Sequence, residues 1–159
     1  MEVPDDASLD ITDELTIELW FKPAVTYDSS LTAMVMLIDK VRAAQADSYL
    51  MAINADGKLQ VGTKGGNIQS TKNSWTADRW YHIVATYRDV GGVYSGELYV
   101  NGVAETLSKN KYDNMAGGSE DLGIGGSDQN DKFNGIIDEV VIYNRTLTPS
   151  EVLDRYNSF

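Results

Sequence analysis

The chain has 159 residues, no cysteine, one histidine and a formal net charge of −11. The length suits one domain that buries about two-thirds of its unfolded surface, and the acidic balance argues against nucleic acid and anionic membrane, which select basic surfaces. Without cysteine there are no disulfides, thiolate nucleophiles or cysteine-ligated zinc, and no apolar run approaches the ~18 residues of a membrane span.

The opening MEVPDDASLD lacks the basic and apolar regions of a secretory leader, and the chain begins almost inside a strand. In LTIELWFK (15–22) Leu15, Ile17, Leu19 and Phe21 alternate with Thr16, Glu18, Trp20 and Lys22, which predicts a half-buried strand. Strands follow over 33–40, 48–54 and 58–63, and the turn ADGK makes the last two a hairpin. Further strands are expected at WYHIVATYR (80–88) and GELYVNGVAETL (96–107). In the latter, Asn101-Gly102 tolerates the positive φ angles of a tight hairpin turn. Two Gly-rich stretches, 89–96 and 114–131, read as loops around a short strand at 122–124.

The last strand, GIIDEVVIYN (135–144), carries Asp138 and Glu139 side by side. Strict alternation places one of these acids in an apolar row whichever face is buried. A helix closes the chain: Thr148 is its N-cap, Pro149 its first residue, and Glu151 completes a capping box. Many short strands with turns every eight to twelve residues predict an all-β sandwich or barrel.

Three segments, LTIELWFKP, RWYHIVATYRDVGGVYSGELYVNGV and LGIGGS…FNGIIDEVVIYNRTLTPSEVLDRY, resemble the laminin-G-like, concanavalin A-like jelly-roll domains. The resemblance runs from about residue 11 to 156. It implies a single jelly-roll β-sandwich over residues 1–159, with two curved antiparallel sheets and one short C-terminal helix. Such domains usually open with an additional Leu-x-Phe-Asp-Gly strand, of which only MEV remains, so the first strand reads as truncated. An exposed sheet edge invites pairing, which makes self-association an expectation.

The resemblance also implies an extracellular or cell-surface setting, glycan or protein ligands, and calcium. In that family the aspartate of the closing strand helps hold a calcium with ligands from the N-terminal segment, which assigns Asp138, Asp5 and Asp6 to the metal. Satisfaction of Asp138 by hydrogen bonds alone is the alternative. Glu139 is expected to pair with a cation such as Arg145 or Arg155, or to lie at a solvated face. The loop residues Asp128, Gln129, Asn130 and Asp131 offer oxygens for a second calcium or for sugar hydroxyls, or satisfy their own backbone.

Aromatic rings are platforms for the apolar face of a sugar. Trp20 and Trp80 lie in strand-like stretches and are expected to pack. Trp75, Tyr27, Tyr94 and Tyr112 lie in loop-like stretches and are the platform candidates, with tucking of a loop against the sandwich as the alternative for Trp75. His82 has no second histidine or cysteine to build a metal site or triad with, and alternates in phase with Val84 and Thr86, so it reads as structural. Asn144-Arg145-Thr146 matches the glycosylation sequon. No paired-carboxylate motif of the jelly-roll hydrolases is present. The expectation is therefore a non-catalytic, calcium-supported carbohydrate-binding module of a larger secreted or surface protein. An adhesive protein–protein module is the alternative, and a glycoside hydrolase the third reading.

Overall fold

The computed structural model describes residues 1–40, 48–63, 66–111, 115, 117–126 and 132–159. Its strands in chain order are β1 (Glu2–Val3), β2 (Glu14–Pro23), β3 (Val35–Asp39), β4 (Leu50–Ile53), β5 (Leu59–Thr63), β6 (Gly66–Ser70) and β7 (Tyr81–Val90). Then come β8 (Val93–Ser95), β9 (Leu98–Val100), β10 (Val103–Ala104), β11 (Leu107–Lys111), β12 (Leu122–Ile124) and β13 (Gly135–Tyr143). One helix, α1 (Pro149–Asn157), ends the chain. Among the described residues no helix is long and apolar enough to cross a membrane.

The strands form two antiparallel sheets, as a jelly-roll sandwich requires. One has seven strands in the order β1-β12-β3-β4-β5-β6-β11. The other has six, in the order β10-β9-β7-β2-β13 with β8 paired to β7. The odd residues of β2, Leu15, Ile17, Leu19 and Phe21, face inward as their alternation predicts. They meet Leu37, Met51, Ile53, Leu59 and Ile68 of the seven-stranded sheet in one core. Burying each such side chain stabilises by roughly 1.5–3 kcal/mol.

Two further segments form strands. GNIQS forms β6, a strand whose single large apolar residue, Ile68, gives little periodic signal. The glycine-rich 89–96 stretch folds back on β7 as a hairpin, with Val90 opposite Val93 and the turn glycines Gly91 and Gly92 at positive φ. The residues read as a remnant first strand form β1, which pairs Glu2 with Gly123 and Val3 with Leu122 at the edge of the seven-stranded sheet.

The even residues of β2 face away from the core, and α1 covers them. Val152 packs on Val84, Tyr99 and Leu147, and Tyr143 joins the same cluster. The Tyr156 ring stacks at 5.8 Å on Trp20 and at 5.9 Å on His82. The Asn101-Gly102 hairpin turn sits beneath this helix. A Cβ on Gly102, whose φ is +75°, would stand 3.0 Å from the Tyr156 ring, so close packing and backbone conformation both call for glycine.

In β13 the register slips between Asp138, which pairs with Trp20, and Val141, which pairs with Glu18. Three residue steps on one strand oppose two on the other, which is a β-bulge, and Glu139 takes a φ of +50° within it. The bulge resets the alternation, so Ile137, Val140 and Ile142 all pack on the core. Asp138 and Glu139 are both exposed. The buried acid expected in this strand is instead on its neighbour, at Glu18.

Candidate functional site

Glu18 has no solvent exposure, and neither does His82 beside it. His82 Nε2 lies 3.1 Å from Glu18 Oε1, the Tyr143 hydroxyl donates to Oε2 at 2.8 Å, and Arg155 Nε donates to both oxygens at 3.1 Å. A carboxylate only accepts, so His82 donates from Nε2, the tautomer consistent with a buried Nδ1 that has no partner. Burial alone would raise the Glu18 pKa. The hydrogen bonds from His82, Tyr143 and Arg155 outweigh it and hold the carboxyl below its usual range. Burial and the hydrogen bond to Glu18 together push the Tyr143 phenol up. An acid–histidine pair could serve as a general base, but this one is sealed, with neither Glu18 nor His82 exposed to solvent or substrate. Its physical effect is to staple α1 to the sheet.

Beside the staple is an open cleft of about 220 Å³ lined by Trp20, Trp80, Asp138, Glu139 and Phe159. Each comes from a different consequence of the fold. Trp20 is an outward residue of β2, Asp138 stands opposite it on β13, and the bulge turns Glu139 toward the same opening. Trp80 immediately precedes β7, in phase with outward-facing His82. Phe159 follows α1, with its ring 5.3 Å from that of Trp20. Trp80 is 41 % and Phe159 67 % exposed, and Lys22 Nζ lies 5.6 Å from the Trp80 ring centroid. Trp20 Nε1 is buried without a hydrogen-bond partner. Rings offer an apolar platform and the carboxylates accept hydroxyl hydrogen bonds, the mixture that orients small polar ligands in pockets.

The residues singled out from sequence are distributed differently. Trp75 is 0 % exposed, pairs with Tyr27 through an isolated β-bridge, and donates from Nε1 to the Gly57 carbonyl at 2.8 Å. That corrects its expected role as an exposed platform, because a buried indole presents no face to a ligand. Tyr27 is buried as well. Tyr112, Asp128, Asn130 and Asp131 lie outside the described residues. Trp80, assigned to packing, is the exposed ring. Its two-residue spacing from His82 along the same predicted strand was the signal that could have placed it on the outer face.

The three aspartates assigned to calcium do not come together. Asp138 Oδ1 accepts from the Glu139 amide at 2.9 Å, and Asp6 Oδ1 caps the short 3₁₀ turn Ala7–Leu9 through the Ser8 amide at 2.9 Å. Asp5 is paired with Lys40 at 2.7 Å. These residues do not fit a shared metal, and among the described residues no group of three or more histidines and acids is placed to hold one. Arg145 pairs with Glu151 at 2.8 Å and Arg155 with Glu18, while Glu139 lies at an exposed face within electrostatic reach of Arg155.

A laminin G family model, described as the concanavalin A-like lectin/glucanases superfamily, matches residues 1–153. The chain belongs to that family. No curated protein sequence matches it significantly. Solved structures share the fold. A carbohydrate-binding candidate from Bacteroides ovatus superposes with a TM-score of 0.71 at 18 % identity, over 96 % of this chain and 43 % of that one. Domain 4 of AbnA, a GH43 extracellular arabinanase from Geobacillus stearothermophilus in complex with arabinotriose, gives 0.66 at 23 % identity, over 96 % and 70 %. The binding domain of botulinum neurotoxin DC, in complex with rat synaptotagmin II, gives 0.63 at 15 % identity, over 92 % and 36 %. The chain thus spans less than half of the first and third of these.

Proposed function

We propose that the chain is a non-catalytic carbohydrate-binding module that seats a sugar residue in the Trp20–Trp80–Phe159 cleft, as part of a secreted or surface protein. The observation that carries this reading is the exposed Trp80 ring sharing an opening with Asp138 and Glu139. The sugar's apolar face lies on the rings, and its hydroxyls donate to the two carboxylates. Two of the structural neighbours are a carbohydrate-binding candidate and an arabinotriose-bound domain of an extracellular enzyme, which supports both the ligand class and the setting. Asp138 and Glu139 are consecutive on one strand rather than on facing walls, an arrangement that suits holding a ligand better than cleaving it. A glycan array with the chain and with Trp80→Ala tests the reading. Selected glycans should be lost in Trp80→Ala, whereas an unchanged profile would move the site elsewhere.

A protein ligand is the second reading. A groove of about 500 Å³, with Val3, Leu9, Leu122 and Ile137 on its walls and Asp138 and Glu139 shared with the cleft, opens between the edges of the two sheets, and one neighbour is in complex with synaptotagmin II. A protein ligand retained by Trp80→Ala would favour it.

A further inference from the structure

Lys40, just after β3, has a side chain with no solvent exposure. Its Nζ donates to Asp5 Oδ1 at 2.7 Å, to the Gly118 carbonyl at 2.6 Å and to the Glu120 carbonyl at 2.9 Å, and lies 3.1 Å from Asp10 Oδ1. Four oxygens surround an ammonium that has three protons. They come from two segments distant in sequence, the N-terminal stretch before β2 and the stretch leading into β12. These segments also bind each other. The Gly118 amide donates to Asp10 Oδ1 at 3.2 Å and the Asp5 amide to Asp121 Oδ1 at 3.0 Å. Two carboxylates and two backbone carbonyls are the donor types that hold a hard divalent cation such as calcium. Here a covalently attached cation stands among them.

We infer that Lys40 is a built-in substitute for a structural divalent cation: its ammonium gathers Asp5, Asp10 and the 118–120 carbonyls, so the N-terminal segment is pinned to the sandwich without metal at this junction. Asp5, one of the three carboxylates expected to bind calcium, is thereby already neutralised. Burial by itself would lower the Lys40 pKa, but the hydrogen bonds and charges of Asp5 and Asp10 prevail and raise it. The ammonium stays charged at neutral pH.

Two substitutions separate this from a merely buried lysine. Lys40→Ser vacates the centre of the oxygen cage, while Lys40→Met fills it with an apolar chain of similar length. Thermal unfolding of the full chain and both variants is followed in EDTA and in millimolar calcium, with terbium luminescence counting bound ions. Both variants should melt below the parent in EDTA. Calcium should then raise Lys40→Ser by about 5–10 °C more than the parent or Lys40→Met at roughly a hundredfold excess over its dissociation constant. Terbium should show one more bound ion in Lys40→Ser than in the other two. If Lys40→Ser is unfolded in EDTA, recovery of its strand signal in calcium, without recovery of Lys40→Met, is the same result. Equal calcium responses in all three proteins would overturn the inference. So would Lys40→Ser as stable as the parent in EDTA, or unfolded in both conditions.

Discussion

Trp75 and Trp80, five residues apart, lie on opposite sides of the burial boundary: the first is 0 % and the second 41 % exposed. Trp75 is held in the core by Phe21 and Tyr81, whose ring centroids lie 5.4 and 5.1 Å away, and its indole proton is satisfied by Gly57. Trp75→Ala should therefore cost about 3–5 kcal/mol in urea unfolding, the usual price of a large cavity. Trp80→Ala should cost about 1 kcal/mol or less, because half-open rings lose little on truncation. Comparable losses in the two variants would mean that Trp80 packs rather than presents its face.

Glu18 is satisfied by three donors on three elements, so removing it strands all of them. Glu18→Ala should destabilise by about 3 kcal/mol, chiefly by leaving His82 and Tyr143 unpaired in a dry site. Arg155→Ala should cost less, about 2 kcal/mol, since the buried Glu18 loses its cationic partner but keeps its bonds to His82 and Tyr143. Denaturant curves for both variants check this ranking, and an Arg155→Ala loss equal to that of Glu18→Ala would contradict it.

The depressed Glu18 pKa fixes the direction of an acid response. A carboxyl whose folded value lies below its ordinary 4.5 contributes stability that is present above that value and lost as pH falls through the folded one. Stability of the parent should decline as pH drops below 4.5, more steeply than that of Glu18→Gln, which has no proton to take up. Glu151, brought down to about 2 by Arg145 and the Thr148 hydrogen bonds, adds to the same decline in both proteins. Parallel acid-unfolding profiles would remove Glu18 from the account.

Glu139 holds a left-handed φ of +50° that costs a non-glycine residue about 1–2 kcal/mol. Glu139→Gly should raise stability by up to about 1 kcal/mol, after allowing for glycine's unfolded-state entropy. It should also weaken glycan binding by removing one cleft carboxylate. A stability loss would mean that the bulge depends on the glutamate side chain.

Much of the fold was readable from residue order. The alternation of Leu15, Ile17, Leu19 and Phe21, the Asn101-Gly102 turn and the Thr148–Glu151 capping box each act locally, and each is found where local chemistry placed it. The site was far less legible. A bulge at Glu139 has no compositional mark, so alternation counted through it put an acid in the apolar row that the structure leaves exposed. Trp75 reads as a loop residue because its partner, Tyr27, is distant in sequence and the pairing is a single bridge. Covering of Glu18 by α1, and capture of Asp5 by Lys40, depend on tertiary placement that no spacing encodes. The two-residue spacing of Trp80 from His82 was present in the sequence, and it was the one legible pointer to the cleft.

The most direct test of glycan binding in the cleft is an amide and indole NMR titration of the full chain with the oligosaccharide that the array selects. Its three tryptophans give three indole signals, one for each environment. The Trp80 and Trp20 signals should move with ligand while Trp75 stays in place. Saturable shifts that leave both Trp80 and Trp20 unmoved would contradict binding in the cleft.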